Sequence, residues 1–302
     1  MTAFTRILCP VDFSDFSRHA LDEAIAIAHL YDGCVTAVHV FPVAVPADPF
    51  AGLPEFQPFT LTDRHRAHIL RQLSTFATAE GAEPQRITVE LREGTDIDVQ
   101  ILEVADQIKP DLIVMGTHGG SGFQHLMLGS VAEKVLRKAR YPVLTVPNKG
   151  PDAVPFGPAP FARILCGVDF SDCSLAALRH AVSLASRADA HLDVLSVVQL
   201  IPMYEATGAA PLYYPGLVDD LKADIRKRLD SVVADTAASV DVERFVTTGS
   251  PYREIVRMAD ERKADVVVLG AYSHGTIDHM FFGSTAAHVV RQTGCPVLTI
   301  RG

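Results

Sequence analysis

Between residues 115 and 130 the chain reads MGTHGGSGFQHLMLGS, with Gly116, Gly119, Gly120, Gly122 and Gly129 in one short stretch. Glycine costs backbone entropy, so such a cluster needs a reason. The reason is either turn geometry or a partner that must touch the main chain. The apolar run LIVM at 112–115 has the unalternating pattern of a strand covered on both faces, and helical spacing resumes after the loop. A glycine loop between a parallel strand and a helix lies at the carboxyl end of the strand, where open α/β sheets take ligands. The first turn of that helix offers N–H groups and the positive end of its dipole, a site for phosphate. The same residues carry a second reading. Ser130-Val131-Ala132-Glu133 has the form of a capping box, in which Ser130 caps its own helix and Glu133 reciprocates. On the loop alone, both readings stand.

Three stretches recur in order along the chain. RILCPVDFSDFSRHALDEAIAIA (6–28) aligns with RILCGVDFSDCSLAALRHAVSLA (163–185), PDLIVMG (110–116) with ADVVVLG (264–270), and YPVLTV (141–146) with CPVLTI (295–300). Equivalent residues are 157 apart at the start and 154 apart at the end, so the copies differ by small loop changes only. Two homologous domains are expected, 1–148 and 161–302, joined at 149–160 by a linker rich in proline. In the first copy, strands are expected at 6–11, 34–41, 87–92, 112–116 and 143–146, and helices near 17–31, 63–80, 98–108 and 130–139. This alternation implies a mostly parallel α/β sheet. Two proline-containing segments, 41–61 and 200–218, interrupt the pattern after the second strand of each copy and read as irregular.

Composition narrows the function classes. The chain has 302 residues, 48% hydrophobic and 21% charged, with a formal net charge of −9. An acidic balance without a long basic run argues against nucleic acid or an anionic membrane as partner. No apolar stretch reaches the roughly 18 residues of a membrane span. Cys9, Cys34, Cys166, Cys173 and Cys295 are scattered and form no CxxC pair, which suits a reducing compartment. The first residues lack a signal-peptide pattern, so a cytoplasmic protein is expected.

Gly116, Gly119 and Gly129-Ser130 follow the spacing G-x2-G-x9-G-S and resemble the nucleotide-binding signature of the universal stress protein family. ILCPVDFSD (7–15) is similar to the first strand of that family with its aspartate, VHV (38–40) to the second strand end, and YPVLTV (141–146) to the last strand. The resemblance covers nearly all of both copies, as in a tandem member. It implies two Rossmann-like domains of the adenine nucleotide alpha hydrolase type, each a five-stranded parallel sheet in the order 3-2-1-4-5. It also implies an internal pseudo-dimer joined through the last strands (142–146 and 296–300), and leaves a homodimer of whole chains open. The implied ligand is ATP or AMP with Mg2+ or Mn2+, in a stress-response protein whose nucleotide changes which protein partner is engaged. On this resemblance Asp12 lies beside the nucleotide and helps to hold a divalent metal, and the Val40 backbone meets the adenine edge. Met115 and Gly116 flank the ribose, while Gly119, Gly129, Ser130 and Val131 hold the phosphates. The residues by themselves leave Asp12 another role, as N-cap of the following helix.

The second copy departs from the pattern. Its loop reads Gly270-Ala-Tyr-Ser273 and, nine residues on, Gly283-Ser284. A side chain at Ser273 restricts the backbone and fills space beside the implied phosphates. Asp169, Val197, Gly270, Gly283 and Ser284 are retained, so weaker or altered binding is expected there. Histidines give no metal set: His65 and His68 stand at i, i+3, and His118, His125, His274 and His279 flank the loops without cysteine or carboxylate at a zinc spacing. AYSHG (271–275) has a permissive form of the serine-hydrolase elbow, with Asp278 and His288 behind it, which makes an esterase using Ser273 a remote alternative. A dinucleotide Rossmann site fails because CPVDFSD has no glycine after the first strand. No general base or transition-state arginine is evident, so at most slow ATP hydrolysis is expected. An alternative of another class is a nucleotide-independent interaction scaffold whose glycines serve helix capping alone.

Overall fold

A computed structural model of the chain describes residues 3–43, 61–78, 86–117, 128–147, 161–199, 216–237, 240–272 and 282–301. These fall into two compact units, Ala3–Pro160 and Phe161–Gly302. Among the described residues no helix is long and apolar enough to cross a membrane.

The first unit runs β1 (Arg6–Pro10), α1 (Asp15–Tyr31), β2 (Cys34–Pro42), α2 (Asp63–Ala77), β3 (Ile87–Gly94), α3 (Ile97–Ile108), β4 (Leu112–Gly116), α4 (Ser130–Lys138) and β5 (Val143–Val146). Strand β1 pairs in parallel with β2 and β4, β2 with β3, and β4 with β5, giving the order β3-β2-β1-β4-β5. Leu112 to Met115 of β4 are buried, as a strand with helices over both faces requires, whereas β3 at the edge is largely half-exposed. Right-handed crossovers that run first toward β3 and then toward β5 put α1 and α2 on one face and α3 and α4 on the other. Helix α1 turns one stripe inward, Leu21, Ala24, Ile25 and Ala28. The start of β1 is locked beside β4 by Asp111, whose Oδ2 accepts the N–H groups of Thr5 and Arg6 at 3.1 and 3.0 Å.

The second unit repeats this order as β6 (Arg163–Gly167), α5 (Asp172–Ala188), β7 (His191–Val198), α6 (Leu217–Thr236), β8 (Val242–Thr248), α7 (Pro251–Arg262), β9 (Val266–Gly270), α8 (Ser284–Gln292) and β10 (Val297–Ile300). Its parallel pairings are β6 with β7 and β9, β7 with β8, and β9 with β10. Asp265 reproduces the Asp111 lock on the N–H groups of Ala162 and Arg163, at 2.8 and 2.9 Å.

Several element ends differ from those read in the sequence. Helix α1 begins at Asp15 because Ser14 caps it, its hydroxyl accepting the Ser17 N–H at 3.2 Å. Helix α2 stops at Ala77. Phe41 and Pro42 continue β2, and Leu217 and Val218 begin α6, so those ends of the two interrupting segments are regular. The rest of both segments, 44–60 and 200–215, and the linker lie outside the described residues.

Candidate functional site

The order of connection in the first unit reverses between β1 and β4, and a crevice opens at such a switch point. The cavity there has a volume of ≈310 Å³ and lies beyond the carboxyl ends of β1, β2 and β4. Asp12, Val40, Met115, Gly116, Gly129, Ser130 and Val131 all line it. Gly119, His118 and His125 lie outside the described residues. Sequence reasoning missed Val38, Ile97, Ile101 and Ala132, which also line the cavity. Their apolar spacing on β2, α3 and α4 marks them as core. That pattern does not separate a side chain facing a cavity from one facing a neighbour.

The loop end has a division of labour that spacing alone does not show. Gly129 is the N-cap of α4, and no side chain caps this helix. The capping box expected of Ser130 and Glu133 is therefore not formed, because Ser130 is the first helical residue rather than the cap. The Gly129 N–H donates to the Thr117 carbonyl at 2.7 Å and closes the loop against the end of β4. Gly129 thus holds the loop shut against the start of α4, and its amide is engaged at Thr117. The N–H groups of Ser130, Val131 and Ala132 have no acceptor within the helix, and all three residues line the cavity. With the positive end of α4 they make the anion-seeking side of the site.

Asp12 leaves β1 in a turn that carries Phe13 at φ 63°, a strained value for a bulky residue. Its Oδ1 accepts the Ser14 N–H at 3.1 Å and the Ser14 hydroxyl, and its own N–H donates to Ser17 Oγ at 3.3 Å. Asp12 is therefore not the N-cap of α1; it orients Ser14, which is. The turn fixes an exposed carboxylate in the cavity lining. A lone carboxylate beside phosphate is unfavourable unless a cation intervenes. One carboxylate, ligand phosphates and water form a donor set that Mg2+ accepts, so Asp12 fits a phosphate-borne ion rather than a dedicated cage. Elsewhere among the described residues, ligating atoms of His191, Asp193 and Glu243 lie within 4.8 Å of one another. Arg262 already bridges Asp193 and Glu243 there.

A cavity of ≈300 Å³ occupies the equivalent place in the second unit, with Asp169, Val197, Gly270 and Gly283 in its lining. Ser284 opens α8, but the next two residues, Thr285 and Ala286, are those that line this cavity. Asp169 repeats the first-unit turn: Oδ1 accepts the Ser171 N–H at 3.0 Å and the Ser171 hydroxyl, and Phe170 has φ 63°. The loop closure repeats as well, with the Gly283 N–H on the Ala271 carbonyl at 2.8 Å. Two glycines of this copy are demanded by packing. A Cβ on Gly270 would stand 2.8 Å from the Ser174 nitrogen, and one on Gly283 2.9 Å from the Ala271 carbonyl oxygen. The lining changes at Thr285 for Val131 and Leu195 for Val38, and it includes Tyr272, whose ring lies 5.0 Å from the Arg301 guanidinium. Ser273, His274, Asp278 and His279 lie outside the described residues. His288 stacks on Tyr252 and donates through Nδ1 to the Ser284 carbonyl at 2.6 Å.

The sequence pattern of the Universal stress protein family matches residues 3–147 and again 160–301. A universal stress protein of Methanocaldococcus jannaschii is 37% identical over 147 residues, 47% of this chain and 82% of that protein. One from Mycobacterium bovis is 25% identical over 310 residues, 98% of this chain and 94% of that protein. Among solved structures, a universal stress protein from Archaeoglobus fulgidus aligns with a TM-score of 0.67 over 98% of each chain at 21% identity, which shows a shared fold. With one match on each unit, and the two together spanning nearly all of its length, the chain belongs to the universal stress protein family.

Proposed function

We propose that the chain binds an adenine nucleotide, ATP or AMP, chiefly in the cavity of its first unit, and acts as a nucleotide-dependent regulator of a protein partner. The observation that carries this reading is the first turn of α4: Ser130, Val131 and Ala132 line the cavity, and no side chain caps the helix. Val38, Ile97 and Ile101 add apolar wall of the kind that receives a base. Asp12 would hold Mg2+ or Mn2+ against the phosphates, and the ion would supply charge neutralisation there. Weaker binding in the second unit accords with Leu195, Thr285 and Tyr272 in its lining. At most slow hydrolysis belongs to this reading. A cytoplasmic location accords with five free cysteines.

A nucleotide-independent scaffold has one specific observation in its favour. Gly270 and Gly283 are already required by close packing, so their retention in the second unit needs no ligand. Calorimetric titration of the whole chain with ATP and Mg2+ separates the two. Micromolar binding at one site per chain supports the nucleotide regulator. No heat at millimolar nucleotide overturns it and leaves the scaffold.

A further inference from the structure

The helices whose first turns line the two cavities are docked to their neighbours by unlike contacts. Helix α4 packs on α3 in the first unit, and α8 on α7 in the second. Asp98, the second residue of α3, is 2% exposed. Its carboxylate oxygens accept from Lys138 Nζ at 2.7 Å and from Lys134 Nζ at 3.3 Å. Burial disfavours the charged carboxylate, but hydrogen bonds from Lys138 and Lys134 outweigh it and hold the Asp98 pKa below its ordinary value. The residues that stand at these places in the second unit are Tyr252, Gln292 and His288. There the rings of Tyr252 and His288 stack with centroids 4.7 Å apart. Asp98 sits between two residues that line the first cavity, Ile97 and Ile101, and Lys134 follows Ser130 by one helical turn.

We propose that Asp98 is a positioning residue for the anion cradle: by clamping Lys134 and Lys138 it sets α4 against α3 and aims the Ser130, Val131 and Ala132 amides at bound phosphate. This rests on the nucleotide reading above. Through-space electrostatics and positioning make opposite predictions. Neutralising Asp98 leaves two lysines of α4 without their counter-charge, and by charge alone a polyanion then binds more tightly. If the carboxylate aims α4, the same change weakens phosphate binding. Adenosine has no phosphate, so its affinity stays the same in the positioning case.

The test titrates the whole chain with ATP plus Mg2+ and, separately, with adenosine, in the wild type, Asp98→Asn, Asp98→Glu and Lys138→Gln, each checked by thermal melting. Asp98→Asn is expected to lose about tenfold in ATP affinity, the scale on which supporting partners of a bound group act, with adenosine affinity unchanged. Asp98→Glu keeps the charge and recovers part of that loss. Lys138→Gln opens one arm of the clamp and lowers ATP affinity in the same selective way even at about 1 M salt, where the lost lysine charge is screened beyond about 3 Å, which keeps the test alive where Asp98→Asn does not fold. ATP affinity that is unchanged or tighter in Asp98→Asn overturns the proposal alone. Equal losses for ATP and adenosine show a structural role only and also overturn it. A wild type that binds neither ligand overturns the nucleotide reading, and the cradle with it.

Discussion

The two units share a turn, a loop closure and a cavity in the same place, yet their surroundings have diverged. Asp12 and Asp169 hold their capping serines in the same manner, and Gly129 and Gly283 close their loops on the same strand ends. What differs is chemistry one step away. The first unit ties α4 to α3 through buried Asp98 and two lysines, where the second has a ring stack between α7 and α8. Toward the amino ends of its strands the second unit buries Asp193 completely, with Arg262 at 3.0 Å and Arg163 at 3.2 Å, where the first unit has Thr36. The glycines and the aspartate turn therefore belong to the architecture common to both. The cavity linings differ at residues that vary, Thr285 against Val131 and Leu195 against Val38, and the proposed difference in nucleotide binding rests on them.

The largest expected effect breaks the comparison at Asp193. Asp193→Ala leaves Arg163 and Arg262 without their buried partner and should cost the second unit about 3–5 kcal/mol, measured by denaturant unfolding. ATP binding assigned to the first unit should survive it. Burial disfavours the Asp193 charge, but hydrogen bonds from Arg262 and Arg163 outweigh it and hold the pKa below its ordinary value. A folded pKa below the unfolded one gives stability that is fully present above about pH 4 and is lost as pH falls through the folded value. Unfolding in acid should show this slope in the wild type and a flatter one in Asp193→Ala.

Gly270→Ala comes next. The new methyl meets main-chain atoms of Cys173 and Ser174, so about 1–3 kcal/mol of destabilisation is expected from overpacking, read as a lower melting temperature. A neutral result would mean that the close approach is easily relieved and that the glycine is kept for another reason. The smallest effect is the sharpest for ligand chemistry. Ser130→Ala removes one hydroxyl from the cavity lining and should weaken ATP binding by about 1 kcal/mol, with stability unchanged because that hydroxyl does not cap α4. Thr285→Val, which removes a hydroxyl from the second cavity lining and restores the residue of the first unit, should leave that ATP affinity where it was.

Legibility in the sequence followed the range of the interaction. The unbroken LIVM run and the stripe of α1 announce buried elements, because burial on both faces or on one helical face leaves a local pattern. The turn after β1 was legible in kind but not in detail. The sequence put Asp12 forward as the cap, and only the geometry shows Asp12 already engaged with Ser14 while Ser14 takes the cap. Ser130 was open to two roles, cap or cavity lining, and only the geometry places Gly129 at the cap, because the amide bookkeeping turns on a single residue. Asp98 and Asp193 left no local trace. Their lysine and arginine partners stand 36, 40, 30 and 69 residues away and come together only through the packing of helix on helix, helix on strand and strand on strand.

Ser130→Pro tests the central claim most directly. Proline is accepted at the first helical position, where its missing N–H has no intrahelical partner, and α7 itself begins with Pro251. Gly129, with φ −59° and ψ 143°, already has the extended backbone that a residue before proline needs. The variant therefore deletes one amide and one hydroxyl from the cavity lining while leaving α4 in place. In calorimetry with ATP and Mg2+ its affinity should fall about tenfold or more at an unchanged melting temperature, as the loss of two hydrogen bonds to a charged group implies. Equal affinity in Ser130→Pro and the wild type would contradict the claim that the first turn of α4 holds the phosphates.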